Sequence, residues 1–328
     1  MKRFSAFLVG ISILSLLFSN CGGDEDDGDV DPQYKQHMRD FVIALSQYAK
    51  GLDSDFIIIP QNGQELVTAD GNEDGTPEMS YLNAIDGVGR EDLFYGYDYD
   101  NEPTPSGEIE YMTAFLDICE QNGVEVLTTD YCRTHSFMDD SYSRNNAKGY
   151  ISFAAPEREL NQIPDYPAQP YNVNSNDIES LSQAKNFLYL INPEMYPTIQ
   201  SFTDAIATTN YDVIIIDAFF DSVELWGTSV IESLKTKANG GTRLVIAYMS
   251  IGEAEDYRGY WQNEWYSNPP DWIEEENPDW EGNYIVRYWN PEWQQIIYGN
   301  NNSYLKSIID QGFDGAYLDI IDAFEYFE

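Results

Sequence analysis

The chain has 328 residues, and with a secretory leader set aside about three hundred remain, enough for one large barrel or two ordinary domains without disulfide staples. Its formal net charge is −40, and becomes −42 when Lys2 and Arg3 leave with the leader (15 basic against 57 acidic residues). Such a surface repels nucleic acid and anionic lipid, making both poor partners; it would attract a cationic ligand, although solubility alone accounts for charge of this kind.

In chain order, Lys2 and Arg3 precede an apolar run from Phe4 to Phe18, followed by Ser19, Asn20 and Cys21. Residues 1–20 therefore read as a secretory signal, too short for a comfortable membrane span. Cys21, followed by Gly22-Gly23 and DEDDGDVD, resembles the start of a bacterial lipoprotein. That resemblance implies lipidation of Cys21, an acidic tether over residues 21–33, and an outer-membrane or cell-surface location held by the lipid anchor alone. Cys119 and Cys132 read as free thiols.

The globular part, residues 34–328, opens with a helix whose Tyr34, Met38, Phe41, Leu45 and Tyr48 share one face, closed by Gly51. A buried strand, Phe56–Pro60, runs into Gln61 and Asn62, and a second strand is expected over Tyr81–Val88, ahead of Glu91. An amphipathic helix carrying Ile109, Met112, Phe115, Leu116 and Cys119 leads to a strand over Val124–Thr129 that ends at Asp130. Tyr150–Ala154 is a weaker strand, and the Pro-, Asn- and Ser-rich stretch 164–184 is a seam. Strands follow over Phe187–Ile191, Val213–Ile216, Leu244–Met249 and Tyr284–Trp289, and a last one over Ala316–Ile321.

Strands alternating with helices predict parallel βαβ units and an α/β fold. No early phosphate loop marks a doubly wound sheet, so a single-domain (β/α)8 barrel is the expected architecture, with its site at the C-terminal strand ends. Nine strands compete for eight places, and Tyr150–Ala154 is the one expected to be peripheral.

Polar residues collect where these strands give out: Gln61 and Asn62, Glu91, Asp130, Asp217, Glu253, and Asp319 with Asp322. One such acid could merely cap the next helix, but five strands ending this way suggest a shared mouth. Two histidines cannot supply a histidine-rich metal site, and nucleophile-elbow, zinc-protease and phosphate-loop motifs are missing. An acid-only set could hold calcium or magnesium, but it more naturally offers paired carboxylates for glycoside hydrolysis, with no metal and no cofactor. The 25 tyrosines and 7 tryptophans suit the apolar faces of sugars as well as a core.

AYMSIGEAEDYRGYW (247–261), WEGNYIVRYWNPEW (280–293) and GFDGAYLDIIDAFEYFE (312–328), with IIPQNG (58–63) and IDGVGREDLFYG (85–96), resemble the TIM-barrel group related to the endo-α-1,4-polygalactosaminidases, glycoside hydrolase family 114. The resemblance implies a glycosidase acting on an amino-sugar polymer, with Asp319 and Glu91 as the catalytic acids and Asp217, Glu253, Tyr257, Arg258 and Asp322 lining the same mouth. Which of the two is acid and which is base or nucleophile stays open, and Arg258 could equally belong to an ion-pair network with Glu253 and Glu255. Asn192 stands where relatives more often carry glutamine. The blocks come in an order unlike the family's, as if the chain were circularly permuted, with the helix from Tyr34 to Tyr48 covering the last strand. The reading from a different class is a carbohydrate-binding surface lipoprotein without catalysis.

Overall fold

The structure is a computed structural model and describes residues 33–328. The expected signal, Cys21 and the tether up to residue 32 lie outside the described residues. Eleven strands are present among the described residues: β1 (Ile57–Pro60), β2 (Gly87–Glu91), β3 (Glu125–Tyr131), β4 (Ile151–Ala155), β5 (Phe187–Tyr189), β6 (Val213–Asp217), β7 (Leu244–Ser250), β8 (Glu253–Glu255), β9 (Ile273–Glu276), β10 (Asn283–Val286) and β11 (Gly315–Asp319).

Eight of these strands run parallel in one α/β domain. Five form a sheet in the order β1-β11-β7-β6-β5, and three form a second sheet, β2-β3-β4. The two sheets meet beside β1, where Gln61 bridges Gly89 in parallel and Asn62 N–H donates to the Gly89 carbonyl at 2.8 Å. At the far edges Phe153 of β4 faces Phe187 of β5, with ring centroids 5.7 Å apart. No ladder joins β4 to β5 among the described residues.

Three expectations need correction. Tyr150–Ala154 is not peripheral: β4 pairs with β3 from Ile151 to Ala155 and every residue of it is buried. The peripheral strand comes from the Tyr284–Trp289 run instead, because β10 joins β8 and β9 in a small antiparallel sheet. Tyr81–Val88 is not a strand; Met79–Leu82 is a helical turn and β2 begins only at Gly87. Its glycines hid it. A Cβ at 87 would stand 2.6 Å from Leu181 Cδ2, so β2 takes residues of low strand propensity because nothing larger fits.

The helix His135–Lys148 was unforeseen, since its buried face mixes Met138 and Tyr142 with Ser141 and Asn145. The opening helix, Gln33–Leu52, was legible because Met38, Phe41, Val42, Leu45 and Ala49 all reach the core. Each of its larger apolar side chains contributes roughly 1.5–3 kcal/mol. Its first turn lies against the end of the chain: the Tyr34 and Phe327 rings are 5.5 Å apart, and Lys35 Nζ meets Glu328 Oε2 at 2.5 Å. The seam stays irregular apart from a 3-10 turn at Leu181–Gln183, and Asn174 Nδ2 ties it to Asp212 at 2.8 Å. Among the described residues no helix is long and apolar enough to cross a membrane.

Candidate active site

Side chains two apart on a strand share a face. On β11 this puts Tyr317 beside Asp319, and on β2 it puts Gly89 beside Glu91. The two faces meet, because Tyr317 reaches across β1 until its hydroxyl lies over Gly89. Glu91 and Asp319 are thus brought to the same end of strands that flank β1, with Gln61, which follows β1, between them.

Each carboxylate is held by side chains from other strands. Glu91 Oε2 accepts from Gln61 Nε2 at 2.6 Å and Asn62 Nδ2 at 3.3 Å, and its Oε1 accepts from the Tyr131 hydroxyl. Gln61 is itself fixed by the Tyr189 hydroxyl, which donates to its Oε1 at 2.8 Å. Asp319 Oδ2 accepts from the Tyr248 hydroxyl and Oδ1 from Ile320 N–H at 2.8 Å. Tyr131, Tyr189 and Tyr317, all buried, and the partly buried Tyr248 therefore supply four phenols from four strands. The Tyr317 hydroxyl alone among them has no partner.

Burial, and after it the charge of Glu91, lifts the Asp319 carboxyl to about 7, against the opposing hydrogen bonds from Tyr248 and Ile320. Asp322 follows on the 3-10 turn Ile321–Tyr326, entered through Ile320 at φ 59. Burial lifts its carboxyl to about 6, while Arg90 works the other way.

A second charged group lies at the ends of β6 and β8. Arg258 donates to both oxygens of Asp217 at 2.7 Å and, through Nε, to Glu255 Oε2 at 2.8 Å. Tyr257, partly exposed, donates to Glu255 Oε1 at 2.6 Å. Burial raises Asp217, with the Arg258 charge opposing. Register aligns Asp217 with Tyr248, and Tyr248 with Tyr317, so this group borders the Asp319 side of the site.

Residues 168–327 match the sequence profile of glycoside-hydrolase family GH114. That match supports a GH114-like glycoside hydrolase assignment for those residues. The chain is 46% identical over 153 residues to an uncharacterized protein of Methanocaldococcus jannaschii, covering 47% of this chain and 42% of that protein. An uncharacterized protein of Thermotoga maritima is 46% identical over 121 residues, 37% of this chain and 36% of its own. One from Deinococcus radiodurans is 40% identical over 126 residues, 38% of each. The chain thus spans less than half the length of these curated relatives.

The GH114 region contains Asp217, Glu253, Tyr257, Arg258, Asp319 and Asp322, whereas Gln61, Asn62, Glu91 and Asp130 precede it. The fold gathers Asp319, Glu91, Gln61 and Asn62 in one set, and Asp217, Arg258 and Tyr257 in the set beside it. Glu253 instead turns to amides of the small antiparallel sheet, accepting from Asn277 Nδ2 at 2.7 Å and Asn283 Nδ2 at 3.1 Å. Asp130 does not line the mouth. It is fully buried and accepts from Phe94 N–H, Tyr95 N–H, the Ser141 hydroxyl and Asn145 Nδ2, a carboxylate tying a loop and a helix to β3. Sequence reasoning missed the four tyrosines. The spacing Tyr317-x-Asp319 was the available signal, since a polar-tipped ring two residues before a strand-end acid must share its face.

Proposed function

We propose that this chain is a glycoside hydrolase that cleaves a polysaccharide within its length, with Asp319 as general acid and Glu91 as base or nucleophile. One observation carries the reading: Asp319, raised to about 7, shares a strand-end site with Glu91, a second carboxylate fixed by three donors. Two carboxyls in contrasting environments are what glycosidic cleavage requires, one keeping its proton near neutrality and the other kept as an acceptor. In this reading the eight parallel strands close as a (β/α)8 barrel, a closure supported by the Gln61–Gly89 bridge and the Phe153–Phe187 contact. The adjacency of Tyr34 and Phe327 supports the circularly permuted block order.

The substrate proposed is a cationic amino-sugar polymer of the polygalactosamine kind, which the acidic surface favours electrostatically. Attachment to the outer membrane or cell surface through a lipid on Cys21 belongs to the same proposal, and palmitate labelling that is lost in Cys21→Ser tests it. For the activity, wild type and Asp319→Asn are compared on deacetylated and acetylated galactosamine polymers. Wild type releases reducing ends and the variant does not; equal release by both removes Asp319 from the mechanism.

A further inference from the structure

Arg158 lies outside the GH114 region and follows β4, yet its side chain is pinned on every polar edge. Nη2 donates to Asp92 Oδ1 at 2.8 Å and to the Gly96 carbonyl at 3.0 Å, Nη1 to Asp92 Oδ2 at 3.2 Å, and Nε to Asp100 Oδ1 at 2.9 Å. So clamped, its guanidinium lies 3.9 Å from the centroid of the Tyr131 ring, and Tyr131 is the phenol that donates to Glu91. The loop is shaped for this contact. Gly96 has φ +115, and a Cβ there would stand 2.3 Å from Asp92 Oδ1, 3.1 Å from Tyr131 Cβ and 3.3 Å from Arg158 Nη2. Asp92, immediately after Glu91, takes a left-handed φ of 59, which turns its carboxylate to the guanidinium.

We infer that Arg158 is a positioning residue for Glu91, acting through Tyr131. The inference rests on the proposed role of Glu91 as base or nucleophile. Two effects follow from the stacking. The flat guanidinium covers one face of a ring that is otherwise buried, leaving the phenol a single orientation. Its positive charge over the π-face also withdraws electron density from the ring, so the hydroxyl becomes a stronger donor to Glu91. An arginine that only tied down the loop from Asp92 to Pro103 would have no need of this ring.

The test combines 13Cζ-tyrosine NMR of the unliganded protein with steady-state kinetics on Arg158→Met, Tyr131→Phe, the double variant and Glu91→Gln. The Tyr131 resonance, assigned by its loss in Tyr131→Phe, should move in Arg158→Met toward its position in Glu91→Gln. The turnover number kcat should fall about tenfold with KM little changed, and Arg158→Met should add nothing in the Tyr131→Phe background. A wild-type Tyr131 resonance in Arg158→Met, or a loss that persists in full without the Tyr131 hydroxyl, overturns the inference. If Arg158→Met does not fold, Arg158→Lys, which keeps the charge without the flat face, is read by the same criteria with a smaller displacement. The NMR arm needs no turnover, so failure of the glycosidase reading, seen as no reducing-end release by wild type, stays separate from failure of the Arg158 inference.

Discussion

The hydroxyl of Tyr317 lies 1.9 Å from where a Cβ on Gly89 would stand, and its Cζ only 2.5 Å away. A ring from β11 thus occupies the side-chain space of β2, and it is this intrusion that brings the faces of Asp319 and Glu91 together. Gly89→Ala should force the ring outward, with overpacking destabilising the fold by roughly 1–3 kcal/mol. Adding Tyr317→Phe removes the closest atom and should recover part of that loss. Thermal denaturation of the two variants checks both outcomes; unchanged stability in Gly89→Ala would mean that Tyr317 does not occupy this space.

Asp319 makes stability depend on pH in a definite direction. Its carboxyl titrates near 7 in the fold against 3.8 in an open chain, so its contribution is fully present below about 4 and is lost as pH rises through 7. Asp319→Asn has no such loss. It should be more stable than wild type above about pH 7, by about 4 kcal/mol at most. The advantage should shrink steadily toward pH 4. Urea unfolding across that range reads the difference, and a gap independent of pH would contradict the raised carboxyl.

The opposite end of β6 is built for stability. Asp212 and Lys237 form a fully buried ion pair at 2.9 Å, and Asp212 also accepts from Asn174 of the seam and from Lys185 N–H. Lys237→Met strands the carboxylate in the interior and should destabilise by roughly 3–5 kcal/mol, whereas Asp212→Asn combined with Lys237→Met should recover much of this. Because the pair sits before Val213 and the site lies beyond Asp217, kcat of the folded Lys237→Met fraction should stay close to wild type. A loss of kcat in that folded fraction would show that the two ends of β6 are coupled.

The strand-end acids were legible where apolar runs end in Asp, as at Asp319 and Asp217. Helices were legible where an apolar stripe runs the length of the helix, as Met38, Phe41, Val42, Leu45 and Ala49 do in Gln33–Leu52, and not where the buried face alternates Met138 and Tyr142 with Ser141 and Asn145. Strand β2 was misplaced because packing against Tyr317 and Leu181 demands glycine, and glycine carries no strand signal. The tyrosine set was hidden for the converse reason. Tyr131, Tyr189, Tyr248 and Tyr317 lie within strands and read as core, and only the fold shows that Tyr131 and Tyr248 donate to the two carboxylates and Tyr189 to the Gln61 amide that holds Glu91. Asp130 looked like a site acid because a strand-end position does not reveal how many donors surround it.

The central claim is that Asp319 donates a proton while Glu91 acts at the sugar carbon or on water. It is tested most directly by comparing Asp319→Asn and Glu91→Gln on the native polymer and on an activated aryl glycoside of the same sugar, whose leaving group needs no proton. Asp319→Asn should lose roughly 10²- to 10⁴-fold in kcat/KM on the polymer and far less on the aryl glycoside, while Glu91→Gln should lose activity on both. Wild-type kcat/KM on the polymer in either variant would contradict the account.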